Sequence, residues 1–400
     1  MGLGVLAFVL AIVFSIALHE LGHLGTAKAF GMKATQYFIG FGPKIWSFRR
    51  GETEYGVKAI PAGGYVKIIG MTELEDVEPD DEARAFWRQP APQRFVVLVA
   101  GSTMHFILAF VLFAIALVAV GVRTGESTTT VEAVSACVPA TVEVTCTPTS
   151  PESPAKVAGV RSGDRVVSYD GRDVTEWEAF TERVRSSEPG DRPLVVERDG
   201  AEITLTVSVV TVQRPDLDEP DTTVSVGALG LAARQEIKRF GVFSGLWRSA
   251  DAMRQSFVGT GKALVDLPAS IPKLVRSTFG DGERDATGAV SLIGAGQIAG
   301  EAAKDGLFAE FLILIASINV FIGVFNLLPL LPLDGGHIGV LVYEQVRSRV
   351  ARLFGRADPG RVDLRKLLPT AYGFIVFLVA LQVLVLYADI ANPIANPFAG

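Results

Sequence analysis

Apolar residues gather in four blocks toward the two ends of the chain, and the middle is polar. The first block covers residues 1–30, with a polar step at 19–23. The second covers 95–122, the third 307–342 and the fourth 367–391. At 1.5 Å per residue each can cross a hydrocarbon core of about 30 Å, so the pattern predicts about four transmembrane helices. A cleaved signal peptide does not fit the first block. It needs a basic n-region, yet no Lys or Arg precedes Lys28, and no small-residue cleavage site precedes His19.

Between the blocks the periodicity changes. Residues 31–94 mix β-branched and aromatic residues with Gly and Pro. Rough alternation at 55–60 and 65–69 predicts short strands, with turns at Gly40-Phe41-Gly42-Pro43, Arg50-Gly51 and Ala62-Gly63-Gly64. Residues 73–82 are acidic and read as a solvated linker. Residues 128–212 predict a compact α+β domain, with strands at 131–136, 141–144, 165–169, 194–198 and 203–209 and a helix at 177–186. This order, with Ala-Gly-Val-x-x-Gly-Asp at 158–164, resembles a PDZ domain, a fold that binds peptide ends by adding a strand to a sheet edge. The plain alternative is a small β-domain that only spaces two membrane helices. In 213–306, the stretch 242–275 carries Phe243, Leu246, Trp247, Ala250, Met253 and Phe257 at helical spacing, which predicts an amphipathic helix at the outer leaflet or against the membrane core. Small residues at 288–303 suggest another helix beside the third span.

Charge sets an expected orientation. Residues 343–366 carry Arg347, Arg349, Arg352, Arg356, Arg361, Arg365 and Lys366, which marks a cytoplasmic loop. With four spans, 31–94 is then cytoplasmic too, and 123–306 and both termini lie outside, in a multi-pass protein of the inner (plasma) membrane. The two cysteines, Cys137 and Cys146, both fall in that outer segment, where an oxidising compartment favours a disulfide. A zinc site there is the weaker reading, because no His lies nearby. Of the 400 residues 49% are hydrophobic, the formal net charge is -6, and no basic tract suggests nucleic-acid binding. Nothing in the chain sets an oligomeric state.

The chemistry concentrates in His19-Glu20-Leu21-Gly22-His23. On a helix, residues four apart share a face, so both imidazoles can bind one zinc ion. Glu20 is placed to take a proton from the attacking water and pass it to a leaving amine. Ionisable groups are costly in a membrane helix and signal function, although a polar cluster that pins helix packing is the alternative. A catalytic zinc site takes three protein ligands, and the candidate third is Asp334, in Asn326-Leu-Leu-Pro-Leu-Leu-Pro-Leu-Asp-Gly-Gly-His337. Pro329, Pro332, Gly335 and Gly336 should break the helix there. Broken helix at membrane depth needs protein or a watery cavity around it, and hydrolysis needs that water.

His-Glu-Leu-Gly-His in a first membrane helix, a distant Leu-Asp-Gly-Gly and an intervening PDZ-like domain resemble the site-2 proteases, nearest the bacterial regulator-of-sigma-E protease type with a single PDZ domain. The resemblance covers most of the chain. It implies a zinc-dependent intramembrane endopeptidase, with His19, His23 and Asp334 on Zn2+ and Glu20 as catalytic base. It implies that Gly40-Phe41-Gly42 belongs to a membrane-associated β-region that presents extended substrate, and that Asn326 lies near the substrate path. The family's Pro-x-Pro step is absent here, so Pro332 takes no role. The implied partners are single-span membrane proteins, such as anti-sigma factors already trimmed outside, together with membrane lipid, in signalling by regulated intramembrane proteolysis. His337, one turn after Asp334, and His105, where related proteins often show Asn, are candidates for supporting the ligands. Two other classes compete: a catalytically inactive PDZ-containing membrane scaffold, which the intact motifs oppose, and a transporter, which the absence of an internal repeat opposes.

Overall fold

The computed structural model describes residues 2–71, 77–141, 146–147, 149–215, 222–280 and 290–391. The chain divides into two compact units, one of Met1–Gly121 with Arg239–Ala399 and the other of Val122–Lys238. Four helices in the first unit are long and apolar enough to cross a membrane: Gly2–Ala29, Ala91–Val120, Phe308–Asn326 and Leu364–Ala391.

Helix α1 (Gly2–Ala29) ends in a glycine cap. Gly31 adopts φ +76°, its N–H bonds Lys28 O at 3.0 Å, and Met32 N–H bonds Ala27 O at 2.9 Å. A Cβ would strain that left-handed residue, so glycine stops the helix and turns the chain into the next strand. Strands β1 (Ala34–Arg50) and β2 (Thr53–Ile68) are antiparallel. Instead of several short strands, they are two long ones that bend at Gly40 and Gly42 (φ +91° and +83°) and at Gly63 (φ +130°). The bends fold the ribbon over, so residues 36–39 pair with 64–67 on one side and with 54–57 on the other. Of the acidic stretch 73–82, residues 73–76 lie outside the described residues, and Pro79–Arg84 forms a short 3₁₀ helix.

Helix α2 (Ala91–Ala114) starts after Pro90 and continues as a π-helical turn to Val120. In the second unit, β3 (Val122–Val134), α3 (Pro154–Val157), β4 (Arg165–Tyr169), β5 (Arg172–Asp173), α4 (Trp177–Arg185), β6 (Gly190–Arg198) and β7 (Ala201–Pro215) follow. Two further strands, β8 (Thr223–Ala228) and β9 (Leu231–Lys238), complete a sheet of order β8-β7-β6-β4-β3-β9, with β5 on β4. The unit therefore extends past 128–212 at both ends. Residues 223–238 are strands rather than part of a helical 213–306 region, because β9 covers the edge of β3 and β8 that of β7. The expected strand at 141–144 lies, save Thr141, outside the described residues. Val131, Val166, Leu194, Val196 and Val207 form the core at 0% exposure, and Cys137 and Cys146 are disulfide-bonded with Cα atoms 5.9 Å apart.

The first unit resumes with α5 (Val242–Phe279), α6 (Leu292–Lys304) and α7 (Phe308–Asn326). The third apolar block is not one helix over 307–342. It breaks after Asn326, where Pro329 and Pro332 withhold backbone donors, and restarts as α8 (Asp334–Leu353). Consequently Arg347, Arg349 and Arg352 sit on a helix, and the basic loop is shorter than 343–366. Helix α9 (Leu368–Ala391) closes the described unit. Leu24, Ala27, Met32, Ala34, Ile68, Val97, Leu98 and Leu341 share one buried cluster, which ties the end of α1 to the ribbon, α2 and α8.

Candidate active site

Three helices converge on one point. His19 and His23 lie one turn apart on α1 and are buried. Asp334 opens α8, where the positive end of the helix dipole favours a carboxylate. The Nε2 atoms of His19 and His23 are 3.1 Å apart, and Asp334 Oδ2 lies 3.2 Å from the first and 3.3 Å from the second. His23 Nδ1 lies 2.7 Å from Val97 O on α2. A carbonyl oxygen only accepts, so Nδ1 carries the proton and Nε2 presents its lone pair to the other two atoms. Asp334 Oδ2 is buried and receives no hydrogen bond among the described residues.

Electron-rich atoms this close repel one another unless a cation lies between them. A tetrahedron with ligand bonds of about 2.0–2.1 Å has edges of about 3.3 Å. The observed triangle matches one face of it, so the residues present fit zinc with a fourth position left for water or substrate. Among the described residues His19, His23 and Asp334 are the one group of three or more His, Cys, Asp or Glu able to hold a metal ion.

Glu20 is outside that triangle. The Val66 backbone of β2 lies near its carboxylate. A Cβ at Gly64 would come 2.9 Å from Glu20 Cγ, so the glycine lets the ribbon approach the acid. Gly40 and Gly42 are at the bend of β1, where Gly40 packs on the backbone of Lys58 and Ile60. Phe41 reaches back from there, and its ring lies against Gly63, beside Gly64. Asn326 is the last residue of α7, at the near side of the break that ends in Asp334. His337 is outside the triangle and lines a cavity of about 60 Å³ with Arg94, Glu344 and Arg361. His105 is buried on α2, its ring centroid 5.0 Å from that of His19.

The architecture also depends on glycines, of which Gly101 lies outside both motifs. A Cβ at Gly101 on α2 would lie 2.4 Å from His23 Nε2 and 2.7 Å from His19 Nε2. A Cβ at Gly22 would lie 2.6 Å from Ala100 O, and one at Gly335 2.2 Å from Leu328 O. Small residues let α1 and α2 meet closely and let the first turn of α8 nest in the preceding loop. A small residue inside an apolar helix is the available sequence signal, but it does not say which neighbour it meets. Gly101→Ala is expected to weaken zinc binding by about 10–100-fold, since backbone and ligands cannot both keep their places. Chelator competition on purified protein checks this, and zinc affinity equal to wild type would contradict it.

The site and the helices around it fit a membrane metallohydrolase, with His19, His23 and Asp334 as the candidate metal ligands. The sequence profile of Peptidase family M50 matches residues 7–357. The chain therefore belongs to the site-2 protease family, peptidase family M50, and is a zinc metalloendopeptidase. It is 41% identical over 400 residues to zinc metalloprotease Rip1 of Mycobacterium tuberculosis, covering 98% of each chain. It is 36% identical to zinc metalloprotease Rip1 of Mycolicibacterium smegmatis, again over 98% of each. Metalloprotease MmpA of Caulobacter vibrioides is 32% identical over 93% of this chain and 92% of the relative. A solved PDZ domain of an SdrC-like protein from Listeria monocytogenes aligns with 28% of this chain and 93% of its own, at 12% identity and a TM-score of 0.18, too slight a likeness to carry a fold assignment.

Proposed function

We propose that this protease hydrolyses peptide bonds of single-span membrane proteins at the edge of or inside the bilayer, with anti-sigma factors already trimmed outside as the fitting substrate type. The triangle of His19, His23 and Asp334 beside Glu20, with both histidines and Glu20 on a helix of membrane length, carries this reading. Zinc held there supplies a Lewis acid that polarises the scissile carbonyl. Glu20, packed against Gly64 of β2, takes the proton of the attacking water and delivers it to the leaving amine. A helix hides its carbonyls in its own hydrogen bonds, so the substrate must unwind. The β1–β2 ribbon, with Gly40, Phe41 and Gly42 at its corner, offers a surface for the extended segment, and Asn326 lines the path beside it. No observation favours the inactive scaffold.

In the proposed orientation the metal site faces the cytoplasmic side, while both termini and the second unit lie outside, with lipid around the spans. The basic residues from Arg347 to Lys366 support it. A cysteine placed near Arg356 is then labelled only from the cytoplasm, and one near Gly190 only from outside. The reverse pattern would overturn the orientation.

The second unit acts in this reading as a PDZ-like filter. Its sheet ends in β9, and a cavity of about 270 Å³ is lined by Trp177, Phe180 and Val184 of α4 and by Gly230 and Leu231. A terminal strand beside such a cavity suits a newly exposed peptide end. Val122 pairs with Lys238, so a short flexible linker can replace the whole unit. That deletion is expected to leave Glu20-dependent cleavage intact and to admit substrates with large, untrimmed external domains. Loss of cleavage of a pre-trimmed substrate, with zinc retained, would make the unit a delivery device instead.

A further inference from the structure

Next to the metal triangle lies a second polar group, drawn from α1, α2 and α7. Ser15 sits one turn before His19 on α1, His105 one turn after Gly101 on α2, and Asn319 inside α7. Their exposures are 0%, 2% and 0%. Asn319 Nδ2 donates to Ile315 O at 2.9 Å, which fixes the direction of the amide. Its Oδ1 accepts from Ser15 Oγ and stands 2.8 Å from His105 Nδ1. A carbonyl oxygen only accepts, so His105 Nδ1 carries the proton and Nε2 is left with a lone pair.

His19 shows the complementary deficit. With Nε2 in the triangle, its proton sits on Nδ1, and Nδ1 is buried without a hydrogen-bond partner among the described residues. Imidazoles that hold a metal almost always donate the other N–H to an acceptor, which fixes the ring. His23 has such an acceptor in Val97 O, and His19 has none of that kind. The His19 and His105 rings are 5.0 Å apart between centroids and tilted by 44°. An imidazole nitrogen lies about 1.1 Å from its ring centroid, so turning the rings edge to edge brings the two nitrogens to about 2.8 Å, a hydrogen-bond distance.

We infer that His105, held in one tautomer by Asn319 and Ser15, accepts the Nδ1–H of His19 and so orients that imidazole for zinc. His105 is thus a positioning residue rather than a ligand. The inference rests on the reading of His19 as a metal ligand, and it accounts for two buried polar residues in apolar helices, Ser15 and Asn319, that the hydrolytic chemistry does not otherwise use.

The test uses full-length protein in detergent, with zinc affinity from chelator competition, the visible spectrum of the cobalt-substituted protein, and thermal unfolding as a check on folding. His105→Leu is expected to bind zinc about 10–100-fold more weakly and to change the cobalt bands. His105→Ala takes its place should the leucine variant not fold. His105→Gln, whose amide oxygen accepts a hydrogen bond, is expected to stay within about threefold of wild type. Ser102→Ala is the matched control, since Ser102 Oγ is also buried without a partner on α2, and it should leave affinity unchanged. Wild-type affinity in His105→Leu or His105→Ala, or an equal loss in Ser102→Ala, would overturn the inference. His19→Ala separates the two levels: zinc affinity retained in that variant removes His19 from the ligand set, whereas its loss beside an unaffected His105→Leu refutes only the positioning role.

Discussion

Glu20→Ala protein is expected to keep its zinc and to cleave about 10²–10⁴-fold more slowly than wild type, the range a positioned general base contributes. The geometry separates the two properties. Glu20 is absent from the group of atoms that can hold the ion, and its side chain packs against Gly64 of β2 instead. Removing it leaves the His19, His23 and Asp334 atoms where they are. What is lost is an acceptor for the proton of water and a donor to the departing nitrogen. Glu20→Gln tests the same point with less change of shape, since the amide preserves the packing against Gly64 but cannot act as the base. Metal analysis and a single-turnover cleavage assay on the same preparation decide the matter. A variant that cleaves at near wild-type rate, or one that loses its metal, would each refute the assigned role.

How much of this site could be read along the chain depends on how local each signal is. The four apolar blocks and the four-residue spacing of His19 and His23 are local, and each is visible without knowing any contact. Asp334 stood out because prolines and glycines surround an acid in an apolar run. Where the helix resumed was not visible. The arginines at 347, 349 and 352 look like loop, yet they occupy α8, which restarts at Asp334 and runs on to Leu353. The strands at 223–238 are hidden in the sequence for a different reason. β9 belongs where it is because it pairs with β3, residue Ala233 opposite Val131, about a hundred positions away, and no local pattern encodes that partner. Gly101 and Asn319 were invisible in the same way. Each matters only through what another helix brings against it: the two histidine rings in one case, Ser15 and His105 in the other.

Asp334→Ala is expected to weaken zinc binding by more than about 100-fold, beyond the 10–100-fold that loss of an outer hydrogen-bond partner brings, and to abolish cleavage. In the proposed metal site the residue supplies one of three donor atoms, and it is the one that carries charge. Two neutral imidazoles then face the ion alone, in a buried site where a divalent cation has little else to offset it. Asp334→Asn isolates that charge. Its amide keeps the size of the carboxylate and an oxygen on the same short stem, and Gly335 and Gly336 still let the first turn of α8 nest against the loop at Leu327 to Leu331. If shape alone mattered, Asn would serve. Because the anion's charge balances the cation's, Asn is expected to lose nearly as much affinity as Ala. Glu20→Ala in the same assay provides the reference for an inactive protein that retains metal, so chelator competition across the three variants separates loss of zinc from loss of proton transfer. Full zinc stoichiometry and unchanged affinity in Asp334→Ala would remove this residue from the metal site and leave the break between α7 and α8 without its chemical purpose.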